Sequence, residues 1–172
     1  SMVPLDMGLE FLPFLNNPIV AVAPAGHPLC DRGSLRLQDL EPYTLLMREQ
    51  GSGTRMACEE YFKEKRVHFN QTLEVSSNES QRECAVAGLG VALLTRHAVS
   101  LELATGLLHE LPVEELPLYR SWCLVQAKAK RLSPVAHAFL EFIRSERQQI
   151  SALVERFDGH LPTGSALSLI HI

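Results

Sequence analysis

Short apolar runs rich in β-branched residues alternate along this chain with stretches whose apolar residues recur at helical spacing. That alternation restricts the fold more than any other feature. Residues 18–24, PIVAVAP, form an apolar run closed by proline at both ends and fit a buried strand. YTLLMR, FNQTLEV, VALLTR, LLHEL and YRSWCLVQAK read as further strands. Between them, TRMACEEYFKEKR sets Ala57, Cys58, Tyr61 and Phe62 on one helical face and Glu59, Glu60, Lys63 and Glu64 on the other. ESQRECAV runs as a helix until Gly88 and Gly90 stop it, HAVSLELATG is helical and ends at Gly106, and LRLQDL makes a short helix after the turn-rich AGHPLCDRGS. Ser133 and Pro134 are an N-cap and first-turn pair, and the helix they open carries Val135, Ala138, Phe139, Phe142 and Ile143 on one stripe. The expected class is α/β: a mostly parallel sheet covered by helices on both faces, with ligands collecting outside the carboxyl ends of the strands.

Composition narrows the function. With 172 residues, 46% hydrophobic and 21% charged, the chain can bury a core as one domain or two small lobes. A formal charge of -4 leaves no general basic field, and basic residues occur as scattered pairs such as Lys65-Arg66 and Lys130-Arg131, so the chain alone should bind DNA poorly. No run of 18 apolar residues occurs, and the start SMVPLDMGLEF lacks the pattern of a signal peptide, so a cytoplasmic protein without a membrane partner is expected. Cys30, Cys58, Cys84 and Cys123 form no C-x-x-C pair and read as reduced, buried thiols. The seven histidines are dispersed, with no H-E-x-x-H; no metal and no cofactor is expected.

Three loops lead from a strand's carboxyl end into a helix's amino end. Residues 48–55, REQGSGTR, pack two glycines, two hydroxyls and two arginines into a turn whose unpaired N–H groups and helix dipole favour an anion. The same loop also suits a plain strand-to-helix connection in which Ser52 or Thr54 caps the helix. SSNES (residues 76–80) and TRHA (residues 95–98) add hydroxyls, an amide and cations, although Asn78 with Gln81, or Ser76 with Glu79, equally makes a capping box. The candidate site is Arg48, Gly51, Ser52, Gly53, Thr54, Arg55, Asn78 and Thr95. Backbone N–H groups at residues 51–54 and a Ser52 or Thr54 hydroxyl would hold a carboxylate or phosphate. Arg48 or Arg55 would supply charge-assisted bonds, and Asn78 and Thr95 would orient the uncharged part. Arg55 has Glu59 as an alternative partner at i+4, and Met47 is either an apolar wall or, better, a core residue.

NNPIVAVAPAGHPL, LLMREQGSGTR, LEVSSNESQRECAVAGLGVALLTRHAV, LELATGLLHEL and RLSPVAHAFLEFIRSE, in that order, resemble the effector-binding domain of LysR-type transcriptional regulators, and the RE-GSGTR with SNE is most similar to the carbon-fixation (RuBisCO operon) branch. The resemblance spans residues 11–146. It implies a periplasmic-binding-protein-like, Rossmann-like pair of lobes with a small anionic metabolite between them. It also implies a cytoplasmic oligomeric regulator that contacts DNA only through an amino-terminal helix-turn-helix. The helix-turn-helix and the opening strands of the first lobe have no counterpart here. Residues 1–17 are then a remnant of that lobe or linker, 18–126 the second effector-binding lobe, 127–150 the crossover and carboxyl-terminal helix, and 151–172 a tail that is disordered, vector-derived or a strand-like cover. Gln81 and Arg82 stand where the branch carries an aliphatic-lysine pair.

The competing class is an enzyme. No G-x-S-x-G, no G-x-x-x-x-G-K-[ST] and no complete G-x-G-x-x-G occurs, and His27 in AGHPL has no nucleophile beside it in the sequence, so its expected role is loop packing. A periplasmic-type solute-binding lobe shares the fold and is the alternative. The stripe of the Ser133-Pro134 helix lacks its expected platform, which points to self-association through that helix unless it folds back onto its own lobe.

Overall fold

The computed structural model describes residues 8–129 and 131–159, with side chains to residue 154; expectations for the tail beyond residue 159 lie outside the described residues. Six strands, β1 (Leu9–Pro24), β2 (Leu45–Arg48), β3 (Thr72–Val75), β4 (Val91–Thr95), β5 (Leu108–Glu110) and β6 (Leu118–Ala127), form one sheet in the order β3-β2-β4-β1-β5, with β6 also paired to β1. Four α-helices accompany them among the described residues: α1 (Gly53–Lys65), α2 (Asn78–Val86), α3 (Ser100–Thr105) and α4 (Pro134–Gly159).

The sheet is mixed. β2 pairs in parallel with β3 and β4, whereas β1 is antiparallel to β4, β5 and β6. Five strands thus share one direction, as the alternation of strands and helices implies, and β1 is inserted against them. β1 also begins nine residues before the expected Pro18, at Leu9. Its first half pairs only with β6, from Leu9↔Ala127 to Leu15↔Trp122, with a register shift between Pro13 and Leu15. Its second half is buried in the lobe.

Period-two alternation sorts the core. Ile19, Ala21, Leu45, Met47 and Leu93 pack with Ala57, Cys58 and Phe62 of α1 on one face, while Val20, Val22, Leu46, Ala92 and Leu94 pack with Ala85 of α2 on the other. Leu46 and Leu94 are fully buried, each contributing about 1.5–3 kcal/mol by removal from water. Met47 is therefore a core residue. The close approach of β2 and β4 requires Gly90: a β-carbon there would collide with the Thr44 carbonyl, which accepts the Val91 N–H at 2.9 Å.

Gln81 enters this core from α2. Its Nε2 donates to the Leu46 carbonyl at 2.7 Å and the Leu93 carbonyl at 3.3 Å, tying β2 to β4, while its Oε1 is buried without a partner. Arg82 pairs with Glu102 at 3.1 Å and so fastens α2 to α3. Ser133 caps α4 as expected, its hydroxyl accepting the Ala136 N–H at 3.2 Å. The helix then folds back on its own lobe against β1, α3 and the 3-10 turn Arg96–Val99. Ile143 is buried there, and Arg147 Nε donates to the Phe14 carbonyl at 3.2 Å, but Val135, Phe139 and Phe142 stay exposed.

Candidate functional site

The 48–55 loop does two jobs at the amino end of α1. Gly51, at φ +90°, makes the turn that brings the chain back over the sheet, a conformation only glycine takes without strain. Ser52 is extended, and its carbonyl accepts the Met56 N–H at 3.0 Å while its hydroxyl makes no capping bond. The N–H groups of Gly53, Thr54 and Arg55 are left without intrahelical partners at the positive end of the dipole. α2 differs. Its N-cap is Ser77, whose hydroxyl accepts the Ser80 N–H at 3.0 Å, so capping there falls to neither Ser76 nor Asn78.

The loop arginines are committed to protein partners. Arg48 grips Glu49 through Nε at 2.8 Å and Nη2 at 2.9 Å, which holds the Glu49 carboxyl below the usual carboxylate range, and its Nη1 donates to Asn78 Oδ1. Asn78 is thereby a brace for Arg48. Arg55 bonds Glu59 at 2.7 Å, Glu74, and the Arg48 carbonyl at 2.8 Å, facing a separate hollow that also holds His68 and Glu74. Of the two roles open to Arg55, the geometry selects the pair with Glu59. Thr95 is buried at the end of β4 opposite Ile19 and does not line the cleft.

Arg48, Ser52, Gly53 and Thr54 line a cleft of about 380 Å³ together with Asn17, Ile19, Arg120, Ser121 and Trp122, none of which the sequence singled out. Asn17 and Arg120 face each other across the β1–β6 pair, as do Leu15 and Trp122, so strand pairing sets them on one face. Asn17 is buried and its Oδ1 has no hydrogen-bond partner. The half-buried Arg120 guanidinium makes no hydrogen bond or ion pair with a described residue. It lies near α1: burial pushes the Cys58 thiol up to about 12, and the Arg120 charge works in the opposite sense. The Trp122 ring stacks at a tilt on His97, with centroids 5.5 Å apart, and His97 Nε2 lies 3.2 Å from the Asn16 carbonyl. The one signal in sequence was the i, i+2 spacing of Arg120 and Trp122.

Two other expectations resolve here. His27 Nδ1 accepts the Leu29 N–H at 3.3 Å and its ring packs on Tyr43, a structural role in which burial lowers its pKa. The cysteines are free, but only Cys58 is buried; Cys30 and Cys84 are partly so, and Cys123 is exposed because it lies on the stretch of β6 that leaves the lobe.

The structure is an α/β lobe whose cleft gathers a bare helix end, an unpaired guanidinium and an orphaned amide oxygen. The chain belongs to the LysR family of transcription regulators, residues 1–148 matching the LysR substrate binding domain. It is 38% identical over 148 residues to the HTH-type transcriptional activator CmpR of Synechocystis sp., covering 86% of this chain and 49% of that protein. It is 40% identical over 143 residues to the RuBisCO operon transcriptional regulator of Allochromatium vinosum, covering 83% and 47%. The chain thus spans about half the length of the curated relatives it matches. Among solved structures, the Synechocystis CcmR regulatory domain in complex with 2-PG superposes with a TM-score of 0.80 at 31% identity, covering 87% of this chain and 72% of that one. The effector binding domain of QuiR in complex with shikimate, with a TM-score of 0.75 at 23% identity, supports the fold. The family is one of regulators and not of enzymes.

Proposed function

We propose that this effector-binding domain senses a small anionic metabolite, a carboxylate or phosphate, held between the amino end of α1 and the β1–β6 pair. The observation that carries the reading is the unpartnered Arg120 guanidinium lining the same cleft as the uncapped end of α1. Arg120, the Gly53 and Thr54 N–H groups and the Ser52 hydroxyl bind the anion; Arg48, braced by Glu49 and Asn78, adds its remaining N–H groups. Gly51 sets the turn, and Arg55 and Thr95 act only through the loop and strand that carry them. The 2-PG bound by the Synechocystis CcmR regulatory domain supports an anionic ligand of this size. In the whole protein, which works in the cytoplasm, DNA is read by a helix-turn-helix of the kind named in the relatives, and residues 18–126 act as one effector lobe. Titration calorimetry with 2-phosphoglycolate should give saturable binding with one site per chain. Heat no greater than that of dilution at millimolar ligand would count against the reading.

Self-association belongs to the same proposal. Val135, Phe139 and Phe142 of α4 remain exposed even though Ile143 is packed, and large apolar patches mark association sites. Sedimentation at micromolar concentration should show a dimer that Phe139→Asp converts to monomer. A wild-type monomer would remove this part and leave the ligand site intact.

A further inference from the structure

We propose that Glu49 sets the charge selectivity of the cleft: its carboxylate holds the fork of Arg48 that a second acidic group of a ligand would otherwise take. The site thereby favours ligands with one acidic group and a neutral remainder. The inference rests on the anion-binding reading of the cleft. Two guanidiniums line that cleft, Arg48 and Arg120, and no acidic side chain does. They are not equivalent. Arg120 makes no hydrogen bond or ion pair with a described residue, whereas each of the three Arg48 nitrogens has a protein acceptor.

The way Arg48 is held separates bracing from competition. Nε and Nη2 meet the two Glu49 oxygens at 2.8 and 2.9 Å, the parallel pair of bonds by which a guanidinium takes a carboxylate or phosphate. Nη1 meets Asn78 Oδ1, a neutral acceptor, so fixing this side chain requires no charge. Glu49 brings one. Its carboxylate offsets the Arg48 charge at contact distance, where attraction is strongest, and leaves a ligand only one N–H on Nη1 and one on Nη2. Arg120 is then the one uncompensated cation lining the cleft, and the first acidic group of a ligand uses it. A second acidic group meets Arg48 with its fork filled and a negative charge behind it. Arg48 is 17% exposed and Glu49 38%, so a substitution at Glu49 frees the fork from the solvent side without opening the core.

Calorimetry on this chain with 2-phosphoglycolate and ethyl phosphate, which has a methyl group in place of the carboxylate, tests the proposal. Glu49→Gln should bind 2-phosphoglycolate roughly tenfold more tightly than the wild type and leave ethyl phosphate within about twofold. Glu59→Gln is the control: it removes the same charge from the partner of Arg55, which faces a separate hollow, and should leave both affinities within about twofold. Weaker or unchanged 2-phosphoglycolate binding in Glu49→Gln makes Glu49 a brace only and overturns the inference, with anion binding left standing. An equal gain for both phosphates, or the same gain in Glu59→Gln, reduces the effect to net charge and overturns it too. If neither phosphate binds to the wild type or to Glu49→Gln, the anion site itself falls, and this inference with it.

Discussion

The amino ends of α1 and α2 follow neighbouring parallel strands and look alike in sequence, each announced by a polar loop with a serine at the N-cap, yet they end up in opposite chemical states. α2 is closed by its own side chains: Ser77 caps it, and Asn78 is spent on Arg48. α1 is open, with a serine that does not cap and three N–H groups directed outward. The contrast teaches that a polar loop with a serine at its end indicates a helix start and leaves undecided whether the helix is for holding a ligand. What decides is the surface opposite, and the end of α1 shares its cleft with an unpaired cation, Arg120 on β6.

That contrast can be broken at three points. Arg120→Gln removes the cation and should weaken 2-phosphoglycolate binding roughly thirtyfold, the loss of one charge-assisted contact, with the melting temperature nearly unchanged. A variant that binds as tightly as wild type would mean that the open helix end works alone. Gly53→Pro is subtler. Proline is welcome at the first helical position but lacks an N–H, and the extended Ser52 before it accommodates the ring. Affinity should drop about fivefold while stability holds or rises, as thermal melts beside the titration would show. The smallest effect should separate the two serines. Ser77→Ala should cost about 1 kcal/mol in urea unfolding and leave ligand affinity alone, whereas Ser52→Ala should leave stability unchanged, since its hydroxyl caps nothing. Equal stability losses would show that the two ends are the same after all.

Local order was legible and pairing was not. The helices could be read because their apolar residues recur within one segment: Ala57, Cys58 and Phe62 are indeed the buried face of α1. The strand direction of β1 depends on its neighbours, which lie far off in sequence, and so its antiparallel run could not be read from PIVAVAP. Its first half was missed for a related reason. Pro13, Asn16 and Asn17 weaken a strand pattern, yet pairing with β6 overrides that local bias. The same pairing hid Arg120 and Asn17, which meet only once β1 and β6 lie side by side. The arginines that a motif reading favours, Arg48 and Arg55, are instead the ones whose nearby carboxylates, Glu49 and Glu59, were already written beside them.

β1 is the longest of the described strands. Sixteen residues of unbroken strand extend for roughly 50 Å, one half clamped in the lobe and the other running out beside α4. Pairing with β6 holds the outer half, and the register slips between Pro13 and Leu15, the soft point at which a bulge adds twist. Asn17 sits just inside that soft point. The opposed pair Asn17 and Arg120 thus stands where the strand leaves its clamp, at the junction between its buried half and the half that pairs with β6.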